Sequence, residues 1–159
     1  MQPVAFEHID KPLLFVHLIA GITCVAASVH LLLRAMRAYQ HPGRYTGQTR
    51  LHAVILAGAY LSSVVLGGLI YPTFRIHVRY LLFDPAIPWA TGLFEIKELL
   101  ATVGVIPILG IVAFSRHLDA RVPEHRPFFP MYLGLIGFTL LVVLFNACCG
   151  WYLGTIRSL

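Results

Sequence analysis

The stretch PLLFVHLIAGITCVAASVHLLLRAM, residues 12–36, decides the fold: it is apolar over enough length to cross a hydrocarbon core about 30 Å thick, and it carries two histidines, His17 and His30. Three further stretches, at about 50–72, 90–114 and 130–156, have the same character. In lipid the backbone must satisfy its own hydrogen bonds, so apolar segments of this length are spanning helices. The expected fold is all-α, a membrane four-helix bundle, with an interfacial segment between helices 2 and 3.

Composition agrees. Of 159 residues, 58% are hydrophobic and 12% charged, and the mean hydropathy is +0.77. Outside the spans the segments are short, which leaves one transmembrane domain over 1–159 and no room for a separate catalytic module. The first residues, MQPVAFEHIDKP, place Glu7 and Asp10 before the first apolar run and lack the basic region of a cleavable signal, so the first span is read as retained.

Lysine and arginine divide unevenly between the two ends of the bundle. Seven (Arg34, Arg37, Arg44, Arg50, Arg116, Arg121, Arg126) fall on one side against five (Lys11, Arg75, Arg79, Lys97, Arg157) on the other. This predicts both termini on the non-cytoplasmic side, in a membrane expected to be a bacterial inner membrane. The sequence pI of about 9.4 then reflects basic loops beside anionic lipid and implies no nucleic-acid partner.

The boundaries are written in the sequence. Arginines and Pro42-Gly43 end the first helix, and Tyr71-Pro72 is expected to end the second. TFRIHVRYLLF (73–83) is then the interfacial piece, basic and aromatic, before Asp84, Pro85 and Pro88 break the chain. Thr91 or Gly92 is the expected cap of the third helix, and Pro107 is expected to kink it. Tyr132, Gly134, Gly137, Thr139, Asn146 and Gly150 mark the inward face of the fourth, with Trp151 and Tyr152 as an aromatic anchor. The cysteines Cys24, Cys148 and Cys149 all fall within spans and read as small packed residues, not as a disulfide framework.

Chemistry enters through the histidines. Of eight, His17, His30 and His52 lie within spans, where a neutral imidazole needs a hydrogen-bond partner or a metal. At 100° per residue, Leu18, Ile22, Val25, Val29 and Leu32 share an arc from about 60° to 140° relative to His17, and that bulky arc faces lipid. His17 and His30, about 140° apart, flank the broad small-residue face and point toward different neighbours. His30 near the end of helix 1 and His52 near the start of helix 2 differ in depth by only ~5 Å in an antiparallel pair. They are the first expected ligand pair for a haem iron. His17, ~20 Å away along helix 1, pairs with His77 for a second haem if 73–83 folds back to the membrane edge. The competing reading gives each imidazole an ordinary polar neighbour.

In general plan the chain resembles the four-helix membrane b-type cytochromes, on its four spans and on His17, His30 and His52. The resemblance implies haem b, one or two groups, and electron transfer with quinol or quinone. It departs from that pattern in the divergent phase of His17 and His30 and in a last span without histidine.

Glu95, Lys97 and Glu98 occupy the first turns of helix 3, with Arg75 and Arg79 just upstream. One reading makes Glu95 and Glu98 inward-looking, catalytic, proton-handling groups at a quinol site. The other makes them a salt-bridge knot that ties 73–89 to the bundle. Two further function classes stay open: a cofactor-free subunit or scaffold that packs against other membrane subunits or a second copy, and a small transporter or metal-ion channel.

Overall fold

Four helices, each long and apolar enough to cross a membrane, form the computed structural model, which describes residues 7–42 and 49–157. They are α1 (Asp10–Gln40), α2 (Thr49–Ala86), α3 (Pro88–His117) and α4 (Phe129–Arg157). Short 3-10 turns, Glu7–Ile9 and Pro123–Phe128, precede α1 and α4, and no strand occurs among the described residues. The chain is an all-α four-helix bundle and, by the length and composition of its helices, a membrane protein.

Each helix packs on its neighbours in sequence and α1 closes the ring on α4, with the α1–α2 seam the most extensive. Small residues explain that closeness. Ala27, Ala35 and Ala53 are buried beside Leu31, Leu56 and Tyr60, and short side chains let two backbones approach where lipid gives no hydrophobic incentive to associate. Ile108 and Ile111 of α3 and Tyr132, Ile136 and Val143 of α4 complete this core. A smaller cluster of Val78, Phe83, Ala90 and Leu153 closes the opposite end, where both α1 and α3 begin.

The buried stripe of α1 runs through Ala20, Cys24, Ala27, Ser28, Leu31, Ala35 and Ala38, while Leu18, Ile22 and Val29 are exposed. Val25 and Leu32, expected toward lipid, are half-buried against the core. Ser28 donates to the Cys24 carbonyl at 2.6 Å, which satisfies a fully buried hydroxyl within its own helix. On α4, Tyr132 and Thr139 are buried, whereas Gly134 and Gly150 turn outward. Cys148 is exposed and Cys149 buried, since adjacent residues of a helix sit about 100° apart.

Two boundaries differ from expectation. Pro72 does not end α2: the helix continues through it as α-helix to Phe74, then as a π-helix over Arg75–Phe83, and stops only at Ile87 (φ −143°, ψ 64°). Proline removes one N–H donor, a loss that a long helix held in a bundle tolerates. The interfacial segment is thus the last part of α2, whose 38 residues exceed what a bilayer core needs. Secondly, α3 begins at Pro88 and not at Thr91; Thr91 instead donates to the Asp84 carboxylate at 2.7 Å across the break. The break expected from Pro107 falls about one turn before it, as a proline there dictates: residue 107 has no N–H for the Val103 carbonyl, the helix is interrupted at Gly104, and the Ile108 N–H to Gly104 carbonyl bond stretches to 3.4 Å. The turn at Pro42-Gly43, and Arg44 with it, lies partly or wholly outside the described residues.

Candidate functional site

Two groupings of chemistry-bearing side chains stand out, one toward each end of the bundle.

At the end rich in arginine, the rings of His30 and His52 meet across the α1–α2 seam, with centroids 6.0 Å apart and planes inclined at 44°. Equal depth on adjacent antiparallel helices is what brings them together. His30 falls outside the buried stripe of α1 and is exposed on the lipid side, while His52 is half-buried. Arg34 is one turn beyond His30, and Arg50 is two residues before His52.

His17 has a different surrounding. It sits within the α1–α2 seam, its Nδ1 3.0 Å from the Ser63 carbonyl and 3.5 Å from the Ser63 hydroxyl. Its ring lies across Gly67: a Cβ there would stand 3.5 Å from His17 Cε1. The structure does not bring His17 to His77. His77 lies 14 residues beyond Ser63 on the same helix, ~20 Å further along, and is exposed.

The second grouping is a cleft of about 340 Å³ at the opposite end, lined by Gly68, Tyr71 and Arg79 of α2 and Phe94, Glu95 and Glu98 of α3. Arg79 reaches Glu95 at 2.8 Å and Asp84 at 3.6 Å. The π-helical run carries Arg79, and wide turns of this kind recur where a helix redirects a side chain. Lys97 pairs with Glu98 at 2.6 Å and holds its ammonium 5.0 Å from the Phe94 ring centre. Phe94 stacks on Phe74 at 4.1 Å and lies near parallel to Tyr71 at 6.1 Å.

Glu95 and Glu98 therefore do not look into the bundle core. Their side chains are 57% and 40% exposed and border the cleft. The interruption at Gly104 separates this half of α3 from the half in which Ile108 and Ile111 are buried. The knot tying the end of α2 to α3 is present: it is Arg79 between Asp84 and Glu95. Tyr71, Phe94 and Gly68 were not singled out as site residues from the sequence, although the Gly67-Gly68 step followed by Tyr71 and Phe74 is a legible signal of a close approach beside aromatic rings.

Among the described residues, no three or more His, Cys, Asp or Glu side chains are grouped to hold a metal ion. The His30–His52 pair supplies two. A bare transition-metal ion asks for about four protein or water ligands, whereas haem brings four nitrogens of its own and takes at most two axial ligands from protein. Two imidazoles therefore suit haem better than a free ion. Comparison with protein families, with characterised proteins and with solved structures gives no match to this chain.

Proposed function

We propose that the protein is a membrane electron carrier that holds one b-type haem between His30 and His52 and exchanges electrons with a lipid-soluble quinone. The separation of the two rings carries this reading. Two imidazoles that would hold one iron must come together from adjacent helices at one depth, and the His30 and His52 rings do, with centroids 6.0 Å apart. Arg34 and Arg50 flank the pair and suit the haem carboxylates, which arginine binds through paired N–H donors. Held there by His30 and His52, a haem would supply one-electron chemistry. Exposure of His30 on the lipid side leaves that centre open to a carrier diffusing in the bilayer.

Glu95 and Glu98 stand apart from this exchange. Gly68, beside them in the cleft, is 16 residues from His52 on α2, ~24 Å along the helix. The arginine bias supports placing both termini outside the cytoplasm, and the membrane we propose is a bacterial inner membrane.

A second reading is favoured by His17, whose ring has its hydrogen bond to the Ser63 carbonyl and needs no metal. If the other intramembrane imidazoles are likewise structural, the chain is a cofactor-free subunit that packs against other membrane helices or a second copy. An absorption spectrum of the purified protein separates the two. The haem reading expects a Soret band with reducible α and β bands, lost in both His30→Ala and His52→Ala and retained in His17→Ala. A colourless preparation that also fails to take up added haemin removes it.

A further inference from the structure

The connection from α3 to α4 is closed on itself by hydrogen bonds. The Val122 N–H donates to the Asp119 carbonyl at 3.1 Å, and the His125 N–H donates to the Val122 carbonyl at 3.0 Å. A further bond ties the two ends of this turn together: the Asp119 N–H donates to His125 Nδ1 at 3.1 Å. A backbone amide can only donate, so Nδ1 is the acceptor and the ring is neutral with its proton on Nε2. A proton on Nδ1 converts that acceptor into a donor and sets two N–H groups against each other. Imidazole is the side chain that ordinarily changes charge between about pH 5 and 8.

We propose that His125 is a proton-operated latch on the α3–α4 connection: the neutral ring closes the turn by accepting the Asp119 N–H, and a proton on Nδ1 opens it. Because the closed turn accepts only the neutral ring, the latch is shut above the imidazole range and released as pH falls through it. The charged groups of the connection are Asp119, whose carboxylate is held by Arg121, with Glu124 before the ring and Arg126 after it. Arg116 and His117 end α3, and the helices that the turn meets bring Tyr39 of α1 and Tyr132 of α4. Arg126 holds its guanidinium 5.8 Å from the Tyr39 ring, and Phe129 stacks on the same ring at 5.8 Å. Opening the turn therefore loosens the seat of this connection on α1. The proposal does not rest on the haem reading.

Heteronuclear NMR of the isotope-labelled full chain in detergent micelles tests it. At about pH 8 the His125 ring should show the tautomer protonated on Nε2. Protection of the Asp119 amide against hydrogen exchange, corrected for the intrinsic exchange rate, should fall about fivefold or more between about pH 8 and about pH 5. His125→Asn keeps a side-chain acceptor that does not titrate, so its protection should stay level over the same range. His125→Ala should show the low protection throughout, and His117→Gln should keep the wild-type fall. An Nδ1–H tautomer at the upper pH, level protection in the wild type, the same fall in His125→Asn, or its loss in His117→Gln overturns the proposal. None of these outcomes bears on the absorption spectrum.

Discussion

Gly104 and Tyr60 illustrate how much one residue decides in this bundle. The Tyr60 hydroxyl crosses from α2 and donates to the Ala101 carbonyl at 2.7 Å, filling the place where α3 is interrupted. A Cβ at residue 104 would overlap that hydroxyl and stand 2.9 Å from Tyr60 Cζ. Gly104→Ala should therefore lower stability by about 1–3 kcal/mol through overpacking. Tyr60→Phe should lower it by about 1 kcal/mol through loss of the hydrogen bond. Because the hydroxyl is the principal obstacle, the double variant should lose less than the sum of the two, which thermal melts of the four detergent-solubilised proteins would reveal; strict additivity would argue against the overlap. Thr139 is the opposite case. Its hydroxyl is fully buried without a protein partner, so Thr139→Val, nearly the same shape, should leave the melting temperature equal or higher. Residues of the first kind are hard to read from sequence: Pro107 announces a kink, but nothing local says that a tyrosine 44 positions earlier in the chain occupies it. His30 and His52 were legible because their depths follow from a fixed rise per residue, and the structure places their rings side by side.

At the scale of the element, periodicity reported which helices exist more faithfully than where they stop. The apolar arc of α1 matches its exposed face at Leu18, Ile22 and Val29, since side-chain direction follows directly from 100° per residue. The end of α2 did not follow its proline: local propensity favours a stop at Pro72, and packing of Val78 and Phe83 against Ala90 and Leu153 keeps the chain helical beyond it. The same packing aims Arg79 at Glu95, so the cleft became visible only once the true end of α2 was known. The connection from α3 to α4 is set by Asp119. Its carboxylate accepts the Arg121 backbone N–H at 2.9 Å and the Arg121 guanidinium at 3.1 and 3.2 Å. The Asp119 backbone N–H in turn donates to His125 Nδ1 at 3.1 Å. The Arg121 side chain, then its backbone N–H, hold the carboxyl below its ordinary pKa of 3.8. A carboxyl lowered on folding stabilises the folded loop above its unfolded pKa and loses that contribution as pH falls through the folded one. The contribution of Asp119 to the loop should thus be lost only below the ordinary carboxylate range. Following the Asp119 carboxyl carbon by NMR during an acid titration checks this, and Asp119→Asn should lose the acid-dependent step; a midpoint at or above the ordinary value would contradict the pairing.

For the molecule as a whole, the two ends of the bundle differ in chemistry, and that difference predicts how it sits in a membrane. One end gathers Arg34, Arg37, Arg50, Arg116, Arg121 and Arg126 around the two hairpin connections, and Asp119 and Glu124 are the acids there among the described residues. At the other end Arg79 and Lys97 are each neutralised by a glutamate. Counting gives seven lysines and arginines to five, and it is those residues themselves, not the net charge of an end, that set orientation. The hairpins are therefore expected in the cytoplasm and both termini outside it. In an inner-membrane host, alkaline phosphatase fused after Leu159 should be active and green fluorescent protein at the same place dark, with the reverse for fusions truncated after Arg121. The two glutamates test whether pairing matters. Glu95→Gln with Glu98→Gln uncovers two positive charges on the outer side, and because carboxylates contribute little to the bias the same fusions should keep their orientation. A mixed population would mean that pairing had masked Arg79 and Lys97, and that the count of lysines and arginines alone does not set the topology.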